Sequence, residues 1–198
     1  HRYDDETPID ETVRAIDDLV KQGKVHYWGV SEWSAPQIAD LVKTAESLNA
    51  MPPASNQPHY NMVGRHIEES VIPTCDRFGL GLVVFSPLAQ GVLTGKYLPG
   101  QQPPTDSRAA DPNSNMFMGG YMNESLLGGV HKLKAFAESK DVSITQFALA
   151  WILRRKEVTS VIVGATKPEQ IEANVTASGI EFPDGVWEEA IAILEGRS

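Results

Sequence analysis

The stretch GLVVFS at residues 81–86 decides the fold class of this chain. Its apolar residues are continuous rather than alternating, which is typical of a parallel strand covered on both faces. Short runs rich in β-branched and aromatic residues predict further strands at 25–30 and 159–164, and 54–57 predicts a weaker one. Helical patterns separate these strands, so the sequence predicts an α/β fold with right-handed crossovers and a parallel sheet.

Boundary signals locate the helices between these strands. Thr7 is predicted as the N-cap of the first helix and Pro8 as its first residue. Two later helices begin with capping-box patterns, Ser34 with Gln37 and Ser143 with Gln146, and glycines such as Gly79 end others. The predicted helices span residues 8–22, 34–48, 66–78, 125–139, 143–155, 168–177 and 184–195.

Composition excludes several classes of protein. With 198 residues, 41% hydrophobic and 22% charged, the chain has the composition of one ordered globular domain over residues 1–198. No apolar run approaches the roughly 18 residues of a membrane span, and the polar start HRYDDETP does not resemble a secretory leader. The net charge of −9 disfavours nucleic acid and anionic membranes as partners.

The cysteine and histidine content limits the redox and metal chemistry. The one cysteine, Cys75, excludes an internal disulfide and is consistent with a cytoplasmic location. It falls on the buried face of a predicted helix, which favours a core role over a nucleophilic one. The histidines lack metal-ligand spacing such as H-E-x-x-H, so no metal site is predicted.

Two closures of the sheet remain open. A doubly wound sheet is weakened by the absence of a G-x-G-x-x-G motif, whereas a (β/α)8 barrel usually needs about 250 residues. Four visible strands therefore look like half of a barrel, and a first residue other than Met suggests a fragment or a processed chain. The irregular segment 98–123 is long enough to be functional.

Polar and aromatic residues follow the predicted strands, where α/β folds place their ligands. A flat ligand that bears an amide suits such residues, although they are also ordinary starts of loops. These residues are Ser31, Glu32, Trp33, Gln57, His59, Tyr60, the segment 85–91 and the segment 164–166.

A second candidate lies at the predicted helix that begins near residue 168. Thr166 is predicted to cap this helix and Glu169 to complete a capping box, so that Lys167 and the helix N-terminus form an anion site. An ordinary capped helix is the simpler interpretation. Lys96 and Arg108, on either side of the irregular segment's first part, are either phosphate ligands or solvated charges.

Five segments that run over essentially the whole chain carry a family pattern: 1–34, NQPHYNM (56–62), FSPLAQGVLTGKY (85–97), ALAWILRR (148–155) and VIVGATKPEQIEAN (161–174). In these segments, and in their order and spacing, the chain resembles the C-terminal part of an aldo-keto reductase, in the branch of the potassium-channel β-subunits and related bacterial reductases.

This resemblance implies a (β/α)8 TIM barrel of which the chain supplies roughly strands five to eight. It also implies an NADPH-dependent reduction of aldehydes or ketones in which His1 donates a hydrogen bond to the substrate carbonyl. Ser31 and Gln57 resemble the residues that hold the nicotinamide carboxamide, and Phe85 resembles the aromatic that stacks on the ring. The resemblance places the remaining cofactor-binding residues along the pyrophosphate, the 2′-phosphate and the adenine: Ser86, Leu88, Gln90, Gly91, Lys96, Arg108, Gly164, Thr166, Gln170 and Asn174.

Three departures from the family pattern affect this assignment. Glu32 occupies a position where relatives often carry Asn or Arg, and Ala173 occupies one where many carry Glu. The Asp, Tyr and Lys of the catalytic tetrad belong to the first half of the barrel and have no counterpart in this chain. Since the tyrosine donates the proton, the isolated chain is expected to reduce carbonyls poorly.

The predicted function is therefore carbonyl reduction with a small-molecule substrate, and two alternatives stay open. One is a regulatory subunit that senses redox state through bound NADPH with little turnover; the other is a scaffold without nucleotide. His1 favours the enzyme, because the resemblance implies Asn at this position in the channel subunits. The missing strands are expected from a complementing N-terminal half or from a homo-oligomer, since open sheet edges tend to associate.

Overall fold

The computed structural model describes residues 1–112 and 118–197. Within these residues the chain forms seven α-helices and four strands. In chain order they are α1 (Ile9–Lys21), β1 (Gly29–Ser31), α2 (Ala35–Ser47), β2 (Ser55–Gln57), α3 (Val71–Phe78), β3 (Gly81–Val84), α4 (Glu124–Glu138), α5 (Ile144–Leu153), β4 (Val158–Val161), α6 (Pro168–Val175) and α7 (Asp184–Leu194).

The four strands form one sheet in the order β1-β2-β3-β4, and every neighbouring pair is parallel. The prediction of alternating strands and helices around a parallel sheet is confirmed. Ser31 at the end of β1 pairs with Gln57 at the end of β2, while Asn56 pairs with Leu82 of β3. Sequence neighbours are thus also neighbours in the sheet.

Contacts divide the chain into two compact units, and the first contains the sheet. It comprises His1–Tyr60, Arg65–Phe85 and Lys156–Ile162. Helix α1 packs on α2, α2 packs on α3, and α3 packs on β3. Leu82 and Val84 of β3 are fully buried, whereas Val83 between them is only half-buried. One face of β3 is therefore covered more completely than the other.

The second unit comprises Asn61–Gly64, Ser86–Arg155 and Val163–Ser198, as far as these residues are described. Helix α5 lies at its centre with Phe147 and Trp151 fully buried. Helices α4 and α7 approach so closely that a Cβ on Gly129 would lie 2.3 Å from the carbonyl oxygen of Leu194. This contact requires glycine, because any side chain at this position would overlap the backbone of α7.

All four strands are shorter than predicted, and the one predicted at 54–57 is formed by Ser55–Gln57. The run 25–30 pairs only from Gly29, and the indole N–H of Trp28 bonds instead to the Met51 carbonyl at 2.9 Å. The run 81–86 leaves the named strand after Val84, and Ser86 adopts a left-handed φ of 53° that no regular strand accommodates. The run 159–164 pairs at Val158–Val161.

Helix boundaries follow the predicted signals except at α1, α3 and α6. The capping boxes at Ser34 and Ser143 are present, and Gly79 ends α3 with a φ of 71°. The N-cap prediction for Thr7 is wrong, because Pro8 is the N-cap and the Thr7 hydroxyl donates to the Asp4 carboxylate at 2.7 Å. The predicted helix 66–78 is interrupted, since a 3-10 turn at His66–Glu68 precedes α3.

The segment 98–123 is described except for residues 113–117, which lie outside the described residues. Its described part contains a 3-10 turn at Arg108–Ala110 between irregular stretches. Across the described ranges, no helix is both long enough and apolar enough to cross a membrane.

Candidate functional site

The paired ends of β1 and β2 bring together two predicted site residues, Ser31 and Gln57. The Ser31 hydroxyl donates to the main-chain carbonyl of Gln57 at 2.9 Å, and Ser31 is 6% exposed. The backbone N–H of Glu32 donates to the same carbonyl at 3.2 Å. The two strand ends are therefore fixed to each other by the ladder and by a side chain.

The side-chain amide of Gln57 remains available at this place. Gln57 is half-buried, and its amide has no hydrogen-bond partner in the part of the chain that the structure describes. An amide offers one acceptor and two donor hydrogens, and the Ser31 hydroxyl keeps its lone pairs after donating its proton. The pair can thus both donate to and accept from a ligand that carries an amide.

The main chain of His1 lies beside the end of β1. Its carbonyl accepts from the Ser31 backbone N–H at 3.2 Å and from the indole N–H of Trp33 at 3.1 Å. Tyr3 packs edge-on against Trp33, with 4.9 Å between ring centroids. A cavity of about 270 Å³ is lined in part by His1, Tyr3 and Trp33. The His1 residue itself is exposed.

Glu32 joins the ends of the first two strands through its carboxylate. It adopts a left-handed φ of 61°, and its Oε1 accepts from the backbone N–H of His59. Its Oε2 lies 3.2 Å from the Arg2 guanidinium. The Glu32 carboxylate is therefore bound by the His59 N–H and the Arg2 guanidinium of this chain. Glu32 is the residue at which the sequence departs from the family pattern.

Phe85 directly follows Val84, the last residue of β3. It forms an isolated parallel bridge with His59, and the two rings meet edge-on with centroids 5.4 Å apart. Burial lowers the pKa of His59, the neighbouring His66 lowers it further, and the Glu32 carboxylate opposes both effects. His59 is thus favoured as a neutral ring beside the half-buried face of Phe85.

In the second unit, a chain of hydrogen bonds connects Ser86, Gln90 and Arg108. The Gln90 amide donates to the Ser86 hydroxyl at 2.6 Å, and the Arg108 guanidinium donates to the Gln90 amide oxygen. Gln90 is held in a left-handed conformation with a φ of 58°. A rarely populated backbone conformation of this kind persists only where the surrounding contacts hold it in place, and it is often found at functional sites.

Gly91 and Lys96 lie against each other in the same unit. Gly91 has a φ of 95°, and a Cβ there would lie 3.3 Å from Lys96 Cε. The Lys96 ammonium lies 5.2 Å from the ring centroid of Tyr97, whose hydroxyl accepts from the Ala109 N–H at 3.4 Å. Lys96 is exposed and has no carboxylate within ion-pair distance among residues 1–112 and 118–197.

The cap prediction at the start of α6 is wrong. Lys167 is the N-cap because Pro168 is the first helical residue, and neither Thr166 nor Glu169 forms the predicted capping box. Instead, the Gln170 amide oxygen accepts from the Thr166 backbone N–H at 2.8 Å. Thr166 and Gln170 are therefore brought together by a hydrogen bond that the capping prediction did not include. Asn174 is half-buried one turn further along α6.

Gly164 and Leu88 complete the set of predicted residues. A Cβ on Gly164 would meet open space, so neither packing nor a positive φ requires glycine there. The Leu88 carbonyl accepts from the Gly91 N–H at 2.8 Å, which closes the turn that carries Gln90. Cys75 is fully buried, and burial raises its pKa to about 11, as expected for a core thiol rather than a nucleophile.

Sequence reasoning missed Asn61, which braces the turn at Ser86. Asn61 is fully buried; its amide donates to the Ser86 carbonyl at 2.9 Å and its oxygen accepts from the Gly64 N–H at 2.7 Å. An asparagine three residues before a glycine is a known turn pattern, and that spacing was the available signal.

Comparison with known proteins decides the family. The model of the aldo/keto reductase family matches residues 1–195, nearly the whole chain. The chain belongs to the aldo/keto reductase family. Within it, this aldo/keto reductase chain is similar to proteins of two differently named groups.

Two relatives are named "Probable voltage-gated potassium channel subunit beta", from Oryza sativa subsp. japonica and from Arabidopsis thaliana. Each is 43% identical over 178 residues, which cover 89% of this chain and 54% of the relative. The "L-glyceraldehyde 3-phosphate reductase" of Escherichia coli (strain K12) is 36% identical over 180 residues, which cover 89% of this chain and 51% of the relative. The chain thus spans about half the length of these curated relatives.

Proposed function

We propose that this chain is part of an oxidoreductase that reduces aldehydes or ketones to alcohols with NADPH. The observation that carries the proposal is the pair of Ser31 and Gln57, held side by side at two strand ends in a member of the aldo/keto reductase family. The substrate is a small molecule with a carbonyl group. We further propose a cytoplasmic location.

The residues of the first unit suit the nicotinamide end of the cofactor. A carboxamide needs an acceptor for its NH2 group and a donor for its oxygen, and Gln57 supplies both. The Ser31 hydroxyl donates its hydrogen bond to the Gln57 carbonyl, so its oxygen lone pairs remain free to accept from an N–H of the carboxamide. Phe85 offers a half-buried aromatic face against which a flat ring packs.

The residues of the second unit suit the phosphates. Lys96 and Arg108 are exposed cations, and neither has a carboxylate within ion-pair distance in the described residues. Phosphate oxygens accept hydrogen bonds from such exposed cations, so Lys96 and Arg108 support NADPH rather than an uncharged ligand.

The fold we propose is the eight-stranded barrel of the family, with β1 to β4 as its strands five to eight. The parallel strands lie in simple chain order, whereas a doubly wound sheet reverses its strand order at a switch point. The chain also covers about half of each relative it matches. That residues 1–198 form a single domain, the C-terminal half of such a barrel, stays a prediction.

The mechanism assigns distinct tasks to these residues. Ser31 and Gln57 would hold the carboxamide of NADPH and Phe85 would cover its ring, and the cofactor when bound would supply the hydride for the carbonyl carbon. The His1 imidazole donates a hydrogen bond to the carbonyl oxygen and thereby stabilises the negative charge that develops there. The proton that completes the alcohol comes from a donor in the remaining part of the full-length protein.

A titration with NADPH, followed by the nucleotide's fluorescence, tests this proposal. We expect saturable binding that weakens about tenfold in Gln57→Ala, because two hydrogen bonds are lost. Gln22→Ala is the matched control, since Gln22 is exposed at the end of α1. Absence of binding, or equal affinity in both variants, would contradict the proposal.

The second candidate is a regulatory subunit that binds NADPH and turns over slowly. The similarity to relatives named as potassium channel β-subunits favours it. The two functions separate in steady-state kinetics, because the reductase consumes NADPH rapidly when an aldehyde is added. A protein that binds NADPH tightly and consumes it no faster with an aldehyde than without one is the regulatory subunit.

A further inference from the structure

The main-chain carbonyl of His1 is held by two donors that belong to the residues after β1. The Ser31 backbone N–H donates to it at 3.2 Å and the Trp33 indole N–H at 3.1 Å. His1 also lines a cavity together with Tyr3 and Trp33. The two hydrogen bonds hold the His1 backbone against the residues that follow β1.

The conformation of Glu32 brings Trp33 into reach of His1. Glu32 has a left-handed φ of 61°, and its N–H is fixed to the Gln57 carbonyl at 3.2 Å. The chain consequently turns after β1 and directs the Trp33 indole back toward the first residues. The Glu32 carboxylate holds this turn by accepting from the His59 N–H and pairing with Arg2.

Trp33 is itself firmly placed. It is 5% exposed, and Tyr3 packs edge-on against it with 4.9 Å between the ring centroids. A buried indole N–H almost always finds an acceptor, and here that acceptor is the His1 carbonyl. Because Trp33 is buried and packed against Tyr3, its indole N–H is suited to holding the His1 carbonyl in place.

We propose that Trp33 is a positioning residue, whose indole N–H holds the His1 backbone so that the imidazole meets the substrate carbonyl. This inference rests on the proposed function for the role of the imidazole, but not for the contact itself. Small displacements of a hydrogen-bond donor reduce catalysis strongly, since the donor must lie where charge develops. Trp33 touches neither substrate nor cofactor in this account.

Amide hydrogen exchange of Ser31 tests the contact without cofactor or activity. The Ser31 N–H shares its acceptor with the Trp33 indole, so loosening His1 exposes this amide. In Trp33→Phe we expect the Ser31 amide to exchange about fivefold to tenfold faster. Trp28→Phe is the matched control, because it removes an indole bond to the Met51 carbonyl that does not involve His1. An unchanged Ser31 rate in Trp33→Phe overturns the proposal.

The unmodified protein gives a second test if Trp33→Phe does not fold. The Trp33 indole N–H and the Ser31 amide are expected to exchange with the same opening free energy, since one movement of His1 releases both. Indole exchange of Trp28 follows a different free energy. Unrelated rates for Trp33 and Ser31 contradict the proposal.

Kinetics of a full-length protein that carries this chain test the consequence for catalysis. We expect Trp33→Phe to lower kcat about tenfold while the Kd for NADPH changes less than twofold. A fall in NADPH affinity with unchanged kcat would overturn the positioning role. Failure of the proposed function is distinct, because a protein that binds no NADPH still yields the exchange result for Ser31.

Discussion

The two groups of candidate residues are held in place by different means. In the first unit, Ser31 and Gln57 are register partners whose positions follow from the backbone ladder. In the second unit, the exposed side chains of Lys96 and Arg108 come from outside the sheet: Lys96 lies on irregular chain and Arg108 begins a 3-10 turn. We call Ser31 and Gln57 the ladder group, because their positions depend on close backbone packing between strands. We call Lys96 and Arg108 the loop group, because each of these cations acts through its own charge. Glycine substitutions in packed backbone should therefore reduce stability, whereas a lysine substitution should reduce cofactor binding.

The largest effect is expected for Gly29→Ala in β1. A Cβ there would lie 2.3 Å from Ser55 Oγ and 2.6 Å from the Ser55 carbonyl oxygen, where the backbone has no room to yield. We expect the free energy of unfolding in urea to fall by about 3 kcal/mol. Gly164→Ala, whose Cβ meets open space, should leave this free energy unchanged. A loss below about 0.5 kcal/mol at Gly29 would show that the ladder tolerates displacement.

A neighbouring pair of glycines in α4 gives the same contrast in the second unit. Gly129→Ala brings a Cβ within 2.3 Å of the Leu194 carbonyl oxygen, so we expect a loss of about 2 kcal/mol on thermal or urea unfolding. Gly128→Ala meets nothing within 4 Å and should stabilise the helix by up to about 1 kcal/mol. Equal effects of the two substitutions would contradict the close approach of α4 and α7.

Removal of a loop-group charge should affect binding rather than folding. Lys96→Ala is expected to weaken NADPH binding about tenfold, with an effect that shrinks as salt is added, because the interaction is between exposed charges. Unfolding in urea should change little. Lys132→Ala is the control, since Lys132 is also an exposed lysine of the second unit. Equal NADPH affinity in the two variants would remove Lys96 from the phosphate site.

A smaller effect concerns the titration of His59. Its pKa is lowered chiefly by burial, so the folded protein binds fewer protons than the unfolded chain below the ordinary histidine value of about 6.5. The stability that His59 contributes is therefore present above that value and is lost as the pH falls through the lowered pKa. An NMR titration of the ring measures it directly. Glu32→Gln should lower this pKa further, because it removes the charge that raises it; an upward shift would contradict this assignment.

The sequence predicts the ladder group better than the loop group for a physical reason. Apolar runs locate the strands, and the ends of neighbouring parallel strands then bring Ser31 and Gln57 together through the backbone alone, without any contribution from their side chains. The cap at α6 was mispredicted because the helix begins at Pro168, which makes Lys167 the N-cap and leaves Thr166 one residue outside the cap position. The left-handed turn at Gln90 and the brace from Asn61 depend on contacts distant in sequence.

The most direct test of the account uses the two ends of the cofactor separately, observed by NMR of side-chain signals. Reduced nicotinamide riboside, which carries no phosphate, is expected to shift the side-chain amide signals of Gln57 and to leave the side-chain signals of Lys96 and Arg108 unchanged. Adenosine 2′,5′-bisphosphate is expected to do the reverse, and NADPH to shift all three. If NADPH shifts none of them, or if the riboside shifts the signals of Lys96 and Arg108 instead of those of Gln57, the assignment of these residues to a nicotinamide cofactor is wrong.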